Sequence, residues 1–186
     1  MKYVNRQLKG MHGYIRKQLI FEIIKTLIMF AMAFGIFFIG YKTLGTKRSL
    51  WSVLAVLALL PASKSLVGVI MFARFRSLSD EEYTAFSDKI GELPVVYENI
   101  LTTTARTFFV PVICCFSSDL IAYTQNDAGE VKAHIESVMA TAGHKVSVKV
   151  FNDKQAFCKR AEAMRESLKD DNGSAAVLET IKAVSL

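Results

Sequence analysis

The sequence contains few of the residue types from which metal centres, disulfide frameworks and catalytic sites are built. Only three cysteines and three histidines occur among its 186 residues. The cysteines are Cys114, Cys115 and Cys158, and we interpret them as small buried hydrophobic side chains in a reduced compartment. Cys114 and Cys115 are adjacent, so in a strand they point to opposite faces. The chain also has no phosphate-cradling glycine loop and no nucleophile elbow. We therefore predict no catalytic residue, no metal site and no cofactor.

Acidic residues are almost missing from the first part of the chain. Residues 1–76 hold twelve Lys and Arg residues against one acid, Glu22, which gives a net charge of +11. Residues 77–186 hold eleven basic residues against sixteen acidic ones, which gives a net charge of −5. Attraction to a polyphosphate depends largely on Lys and Arg. The acidic second part is therefore poorly suited to nucleic acid, and we predict no nucleic-acid partner.

Two long apolar runs, Leu19–Thr43 and Leu50–Ala73, dominate the basic part of the chain. The first contains an uncharged stretch of 16 residues, and the second is 24 residues long with one charge, Lys64. About 20 mostly apolar residues in a helix cross the hydrocarbon core of a bilayer. Because the link Lys42–Ser49 is short, we predict a membrane helical hairpin whose two transmembrane helices run in opposite directions.

The basic residues near the two predicted spans indicate their orientation. Seven Lys and Arg residues lie before the first span or just after the second, and three lie in the link between them. Basic residues are enriched in cytoplasmic loops. We therefore expect a multi-pass cell-membrane protein with both termini in the cytoplasm. Residues 1–18 are its basic juxtamembrane segment, 19–76 the transmembrane hairpin, and 77–186 a cytoplasmic domain.

The basic juxtamembrane segment has apolar side chains spaced three and four apart. That spacing is typical of a helix that lies on the membrane surface, with its basic side chains against anionic headgroups. Gly10 and Gly13 weaken such a helix, so a disordered basic tail is the alternative prediction. The lipid bilayer with its anionic headgroups is the partner that we expect for this segment.

Lys64 is the residue that membrane energetics single out, because a lysine near the middle of a span costs roughly 2.5–3.5 kcal/mol on insertion. Glu22 is the only acid in either span. Glu22 and Lys64 are therefore a candidate intramembrane polar pair, and snorkelling of Lys64 toward the membrane surface is the alternative. Small residues four apart favour close helix contact within the hairpin or between subunits: Ala31 with Gly35, and Ala58 with Ala62.

The pattern after Arg76 predicts a soluble α+β domain. Capping-box patterns at Ser79–Glu82 and Asp127–Glu130 begin two helices. Between them, three stretches rich in β-branched and aromatic residues predict an antiparallel meander: Val95–Thr102, Arg106–Cys115 and Asp119–Thr124. Pro111 predicts a bulge or an interruption in the middle strand. A further strand, Val146–Val150, and two further helices complete the order α-β-β-β-α-β-α-α.

This order resembles the core of restriction-endonuclease-like nucleases, in which a helix and three strands precede an α-β pair. Such enzymes hold a divalent metal beside the scissile phosphate with an acid on the second strand and an acid-x-Lys set on the third. Here the second stretch contains no acid, and the third has Asp119 at its edge without the acid-x-Lys set. The resemblance therefore implies a degenerate nuclease-like domain.

The stretch GTKRSLWSVLAVLALLPASKSLVGVIM, residues 45–71, resembles a group of uncharacterised two-span bacterial membrane proteins. The likeness extends to LPVVYENILTT, residues 93–103. Some of that group are labelled O-linked GlcNAc transferase-like. A soluble part of 110 residues without a repeat array cannot form a nucleotide-sugar transferase domain. The resemblance therefore implies the two-span architecture and assigns no functional residue.

The sequence thus predicts an integral membrane protein that is not an enzyme. We expect its cytoplasmic α+β domain to bind a protein partner or to organise an assembly. A different hypothesis is a small channel or transporter subunit that forms a homo-oligomer around Lys64. The degenerate restriction-endonuclease-like domain is the third.

Overall fold

The computed structural model describes residues 9–44, 50–103, 106–166 and 173–185 of the chain. These residues form two compact units. The first, which we call the hairpin, is residues 15–76. The second, which we call the domain, combines residues 9–14 with the described residues that follow position 76. Residues 1–8 of the predicted juxtamembrane segment, and 45–49 of the predicted link, lie outside the described residues.

The hairpin is built from two helices, α1 (Tyr14–Leu44) and α2 (Leu50–Ala73). By length and composition, Tyr14–Thr43 and Val53–Ala73 are candidate membrane spans, with mean hydropathies of 2.2 and 2.1. Only 17% of the most apolar window of each helix is buried, so most of its apolar side chains face outward. A core helix of a soluble protein would bury far more of this surface.

Small buried residues recur every seven positions along both helices of the hairpin. Thr26, Ala33 and Gly40 are buried on α1, and Ala55 and Ala62 are buried on α2. A seven-residue repeat keeps one stripe of each helix toward a neighbouring helix, and small side chains let the backbones approach closely. Of the four small residues that their spacing had suggested for this contact, only Ala62 is fully buried.

Among its described residues, the domain has four helices and four strands, and their order agrees with the predicted α-β-β-β-α-β-α-α. The predicted strand boundaries are correct to within one residue. The elements are α3 (Asp80–Ile90), β1 (Val95–Thr102), β2 (Thr107–Phe116), β3 (Asp119–Tyr123), α4 (Ala128–Thr141), β4 (Ser147–Phe151), α5 (Lys154–Glu166) and α6 (Ser174–Val184).

Side-chain caps explain where three of these helices begin. The Ser79 hydroxyl accepts from the Glu82 amide at 3.2 Å, and the Glu82 carboxylate accepts from the Ser79 amide at 3.3 Å, so the predicted capping box of α3 is confirmed. The Asp127 carboxylate accepts from two amides of the first turn of α4. Asp153 caps α5 in the same way. Each cap satisfies backbone donors that the helix itself cannot.

The four strands form one mixed sheet in the order β1-β2-β3-β4. β1, β2 and β3 are antiparallel neighbours, and β4 runs parallel to β3. Helices α3 and α5 cover one face of the sheet, and α4 and α6 cover the other. Cys114 lies in the core under α3 and α5, whereas Cys115 lies in the core under α4 and α6, so their predicted opposite orientation is confirmed.

Pro111 neither interrupts β2 nor adds a residue to it. The register pairs Tyr97 with Val112 and Asn99 with Val110, which places Glu98 opposite Pro111. Because proline has no N–H, Pro111 cannot donate a backbone hydrogen bond to β1. Glu98 adopts a positive φ of 53° at this position. The alternation of side chains reverses here. Even-numbered β2 residues before Pro111 face α4 and α6, and those after it face α3 and α5.

Candidate functional site

In the structure, the partners of Glu22 are Lys25 and Ser65, whereas the sequence suggested Lys64. The Glu22 Oε2 atom lies 2.6 Å from Lys25 Nζ and accepts a hydrogen bond from Ser65 Oγ at 3.0 Å. A Cβ on Gly68 would lie 3.3 Å from this oxygen, so the glycine leaves room for the carboxylate. Lys64 is exposed on α2, and within the described part of the chain no ion pair joins it to Glu22.

Helix geometry explains this exchange of partners. Consecutive residues of an α-helix point about 100° apart, so Ser65 reaches Glu22 of α1 while the neighbouring Lys64 points away. Lys25 lies three residues after Glu22 on the same helix, a spacing at which side chains meet. That spacing is the sequence signal that identifies Lys25, and not Lys64, as the cation beside the only acid of the spans.

A second feature is the segment of residues 9–13, which we call the strap and which packs on the domain. The amide of Tyr97 on the edge strand β1 donates to the carbonyl oxygen of Gly10 at 2.9 Å. Lys9 Nζ donates to the carbonyl oxygen of Ser185 at 2.8 Å. Gly10 has a φ of +84°, and a Cβ at this position would overlap the Val96 side chain. For residues 9–13, the expected surface helix or disordered tail is therefore replaced by a segment held against the sheet.

His12 of the strap is held by groups of the chain that begins α3. Its ring stacks on Tyr83 with 4.3 Å between centroids. Its Nε2 atom lies 3.0 Å from the Leu78 carbonyl oxygen and 3.8 Å from a carboxylate oxygen of Asp80. Tyr83 in turn packs edge-on against Tyr97, and burial raises the pKa of Tyr97 to about 12. His12 therefore anchors the strap on an aromatic surface.

Glu98 connects the strap to the chain that follows the hairpin. Its Oε1 atom accepts from the Gly13 amide at 3.0 Å and from the Leu78 amide at 3.1 Å. The Ser77 hydroxyl donates to the same atom. Glu98 is only 2% exposed. Sequence reasoning missed this residue, and the available signal was a lone acid inside an otherwise uncharged strand.

A cavity of about 250 Å³ lies where the turn between β2 and β3 meets α5. The ion pair of Asp119 and Arg160, with 2.7 Å between the oxygen and the nitrogen, forms part of its lining. Asp119 is the acid that the nuclease comparison singled out, and in this structure its carboxylate is neutralised by an arginine. In the part of the chain that the structure describes, no three His, Cys, Asp or Glu side chains are placed to hold a metal ion.

Burial shifts the pKa values of two cysteines, Cys114 and Cys158, and of His134. Burial raises the pKa of Cys114 to about 12 and also raises the pKa of Cys158. Thiols of raised pKa are poor nucleophiles and poor metal ligands at neutral pH. Burial lowers the pKa of His134, which favours its neutral form. Among the described residues, no disulfide joins any of the three cysteines.

Besides the cavity, three features of the described chain are candidates for a functional role: the polar contact of Glu22, the strap, and the contacts of Glu98. Likeness to known proteins assigns none of them a role, because no protein-family model, no curated protein and no solved structure matches this chain.

Proposed function

We propose that this protein is an integral membrane protein whose domain lies in the cytoplasm and binds a protein partner. The observation that carries the proposal is the exposed apolar surface of α1 and α2. Of the large apolar side chains that are exposed in the described chain, all except Met11 and Val184 lie on these two helices. Such a surface is unfavourable in water and is matched by hydrocarbon.

The strap supports an arrangement in which the chain crosses the membrane twice. Residues 9–13 precede α1 and pack on the domain that follows α2. Two crossings require the chain before and after the hairpin to lie on one side of the bilayer, and this packing is consistent with that requirement. The excess of basic residues on that side, seven against three in the link, favours the cytoplasm.

The surface of the domain favours a reversible contact with a protein. Its apolar side chains are buried on both faces of the sheet, and residues 77–186 carry a net charge of −5. Permanent interfaces are rich in apolar surface, whereas transient ones are about as polar as the rest of the protein. We therefore expect a polar interface with a partner that associates and dissociates.

Purification from membranes in mild detergent tests the proposal. The full chain is compared with a control in which residues 1–76 are fused to an inert soluble protein, so that only the domain differs. A protein that copurifies in a fixed ratio with the full chain, and is absent from the control, supports the proposal. Recovery of the same proteins with both chains, or of the full chain in the soluble fraction without detergent, contradicts it.

The exposed position of Lys64 favours a second candidate function, that of a channel or transporter subunit. A lysine on the outer surface of a hairpin can line a polar path only when several copies assemble around it. In vesicles that contain the purified protein, such a path would conduct in the wild type and in Lys64→Arg and would be silent in Lys64→Met. A snorkelling lysine predicts instead that Lys64→Met inserts at least as well as the wild type.

A further inference from the structure

The cavity of about 250 Å³ beside the turn between β2 and β3 is formed entirely within the domain. Its lining comes from two short ranges, 116–119 at the turn and 160–164 on α5. Pockets for drug-sized ligands have volumes of roughly 300–1,000 Å³, so this cavity is suited to a smaller molecule. Its lining combines charged, hydroxyl and apolar side chains, and these groups define the chemistry of that molecule.

The charged part of the lining is the ion pair of Asp119 and Arg160, and its hydrogen bonding is incomplete. Arg160 Nη2 donates to Asp119 Oδ2 at 2.7 Å. A guanidinium has five N–H donors, yet among the described residues this is the only hydrogen bond of the Arg160 side chain, and its Nε atom is buried without a partner. Buried donors without an acceptor are rare in folded proteins. Because 35% of the Arg160 side chain and 39% of the Asp119 side chain are exposed, a ligand can reach both charged groups.

This pair favours a ligand that carries charges of both signs. An anion on Arg160 alone would lie close to the Asp119 carboxylate, and a cation on Asp119 alone would lie close to the guanidinium, so each would be repelled. A molecule with a carboxylate and an ammonium close together matches both groups. In an α-amino acid these two charges are attached to one carbon atom, and the two side-chain charges of the cavity are likewise adjacent, with 2.7 Å between nitrogen and oxygen.

The apolar part of the lining indicates which amino acids fit. Phe116 and Met164 line the cavity and are otherwise buried, at 9% and 4% exposed. An apolar ligand side chain that covers their accessible atoms removes this remaining apolar surface from water. Glycine would leave it wet. The cavity therefore favours an apolar amino acid such as leucine or methionine.

Ser117 also supports a role for this cavity. Phe116 pairs with Asp119, so Ser117 and Ser118 form a two-residue hairpin turn, and Ser117 has a φ of +54°. Turns of this length with a positive φ at the first position favour glycine there. Relative to glycine, serine adds a hydroxyl, and Ser117 lines the cavity, where this hydroxyl can donate to a carboxylate. Departures from the locally favoured residue are expected at functional sites.

We propose that this cavity is a binding site for a free α-amino acid with an apolar side chain. The ligand carboxylate accepts from Arg160 and from the Ser117 hydroxyl, and the ligand ammonium donates to Asp119. The ligand side chain covers Phe116 and Met164. The site uses residues of the domain alone, so it requires neither the protein partner of the proposed function nor a movement of the hairpin.

Calorimetric titration of the full chain in detergent micelles at neutral pH tests the ligand class. Leucine is compared with isocaproate, which is leucine without the ammonium, and with isopentylamine, which is leucine without the carboxylate. Glycine keeps both charges and lacks the apolar side chain. We expect leucine to bind, and each of these analogues to bind roughly tenfold or more weakly, because each lacks one of the contacts assigned to the ligand.

Two substitutions test the contacts of the charged groups. Arg160→Gln removes the cation, and we expect it to weaken leucine binding roughly tenfold or more. Asp119→Asn removes the anion that repels isocaproate, so in this variant isocaproate should bind at least as tightly as leucine. A purely structural role of Asp119 would not reverse the preference in this way. Lys89→Gln is the matched control, because it breaks the ion pair of Lys89 with Glu162 of the same helix α5 and should leave leucine binding unchanged.

Ser117→Gly separates binding from folding. Glycine relieves the positive φ of the turn, so this variant should melt at a higher temperature than the wild type and bind leucine severalfold more weakly. It also keeps the test decisive if Arg160→Gln fails to fold. The proposal is overturned if neither leucine nor methionine binds at millimolar concentrations, or if isocaproate binds the wild type as tightly as leucine does. Leucine binding of wild-type strength in Ser117→Gly and in folded Arg160→Gln would overturn it as well.

Discussion

At the scale of single residues, His134 on α4 links the stability of the domain to pH. Burial lowers its pKa below the ordinary 6.5, and its Nε2 atom is buried without a hydrogen-bond partner among the described atoms. The unfolded chain therefore binds a proton at higher pH than the folded chain. Its contribution to stability is complete above the ordinary pKa and is lost as the pH falls toward the lowered one.

We accordingly expect His134→Gln to flatten the acid side of the stability profile. Between about pH 7 and pH 5, the wild type should lose more of its melting temperature than this variant. His144→Gln is the control, because the Nε2 atom of His144 has a partner in the Thr180 hydroxyl at 3.1 Å. Thermal melts in detergent across this range give the comparison. Equal slopes for the wild type and His134→Gln would contradict the assignment.

The thiols allow a second test at this scale. Cys114 is buried, with a pKa raised to about 12, and Cys115 is 0% exposed, whereas Cys158 is partly exposed. A thiol reagent should therefore modify Cys158 slowly in the folded chain and reach Cys114 and Cys115 only after denaturation. Mass spectrometry of the labelled peptides measures this. Modification of Cys114 in the folded chain would show that the core opens more readily than its packing implies.

At the scale of elements, the strap depends on a glycine at position 10. Gly10 and Gly143 both have positive φ, but a Cβ at Gly10 would overlap Val96 and a Cβ at Gly143 would meet nothing. An L-residue in the left-handed region costs about 1–2 kcal/mol. We therefore expect Gly143→Ala to lower the free energy of unfolding by about this amount and Gly10→Ala to lower it by more. Denaturant titration compares the two, and equal losses would mean that the strap is not seated on β1.

The elements of the domain were predictable because their signals are local. The cap of α3 lies within four residues of sequence, and the strands are marked by their own composition. The effect of Pro111 could not be predicted from the residues next to it in the sequence. The consequence of its missing N–H depends on the residue opposite it, and the response at Glu98 reverses the alternation of both strands without an insertion.

The strap and the contacts of Glu98 were not predictable, because they join residues that are far apart in the sequence. Gly13 and Glu98 are 85 positions apart in the chain, and the positive charge of residues 1–18 favoured a membrane surface. Only the fold shows that residues 9–13 lie on the edge of the sheet. In the hairpin, the sequence suggested a pair of Glu22 with Lys64, and the cation beside Glu22 in the structure is Lys25.

At the scale of the whole molecule, the orientation in the membrane is the prediction with the clearest test. Seven basic residues flank the spans on the side of the termini and three lie in the link, so the link should be outside the cell. Single cysteines replace Thr46 in the link, Met11 in the strap and Ser137 on α4, in a background that carries Cys158→Ser. An impermeant reagent applied to intact cells should then label position 46 alone.

After lysis, the same reagent should label positions 11 and 137 as well. Met11 is 56% exposed and Ser137 is exposed, so protection of either before lysis is due to the membrane rather than to burial. Labelling of both before lysis, with position 46 protected, would invert the orientation and leave the fold intact. Labelling of positions 11 and 137 from opposite sides of the membrane would contradict the two-span arrangement itself and not only its orientation. The strap and the domain pack together, so that result would show that the chain does not cross the membrane as a two-helix hairpin.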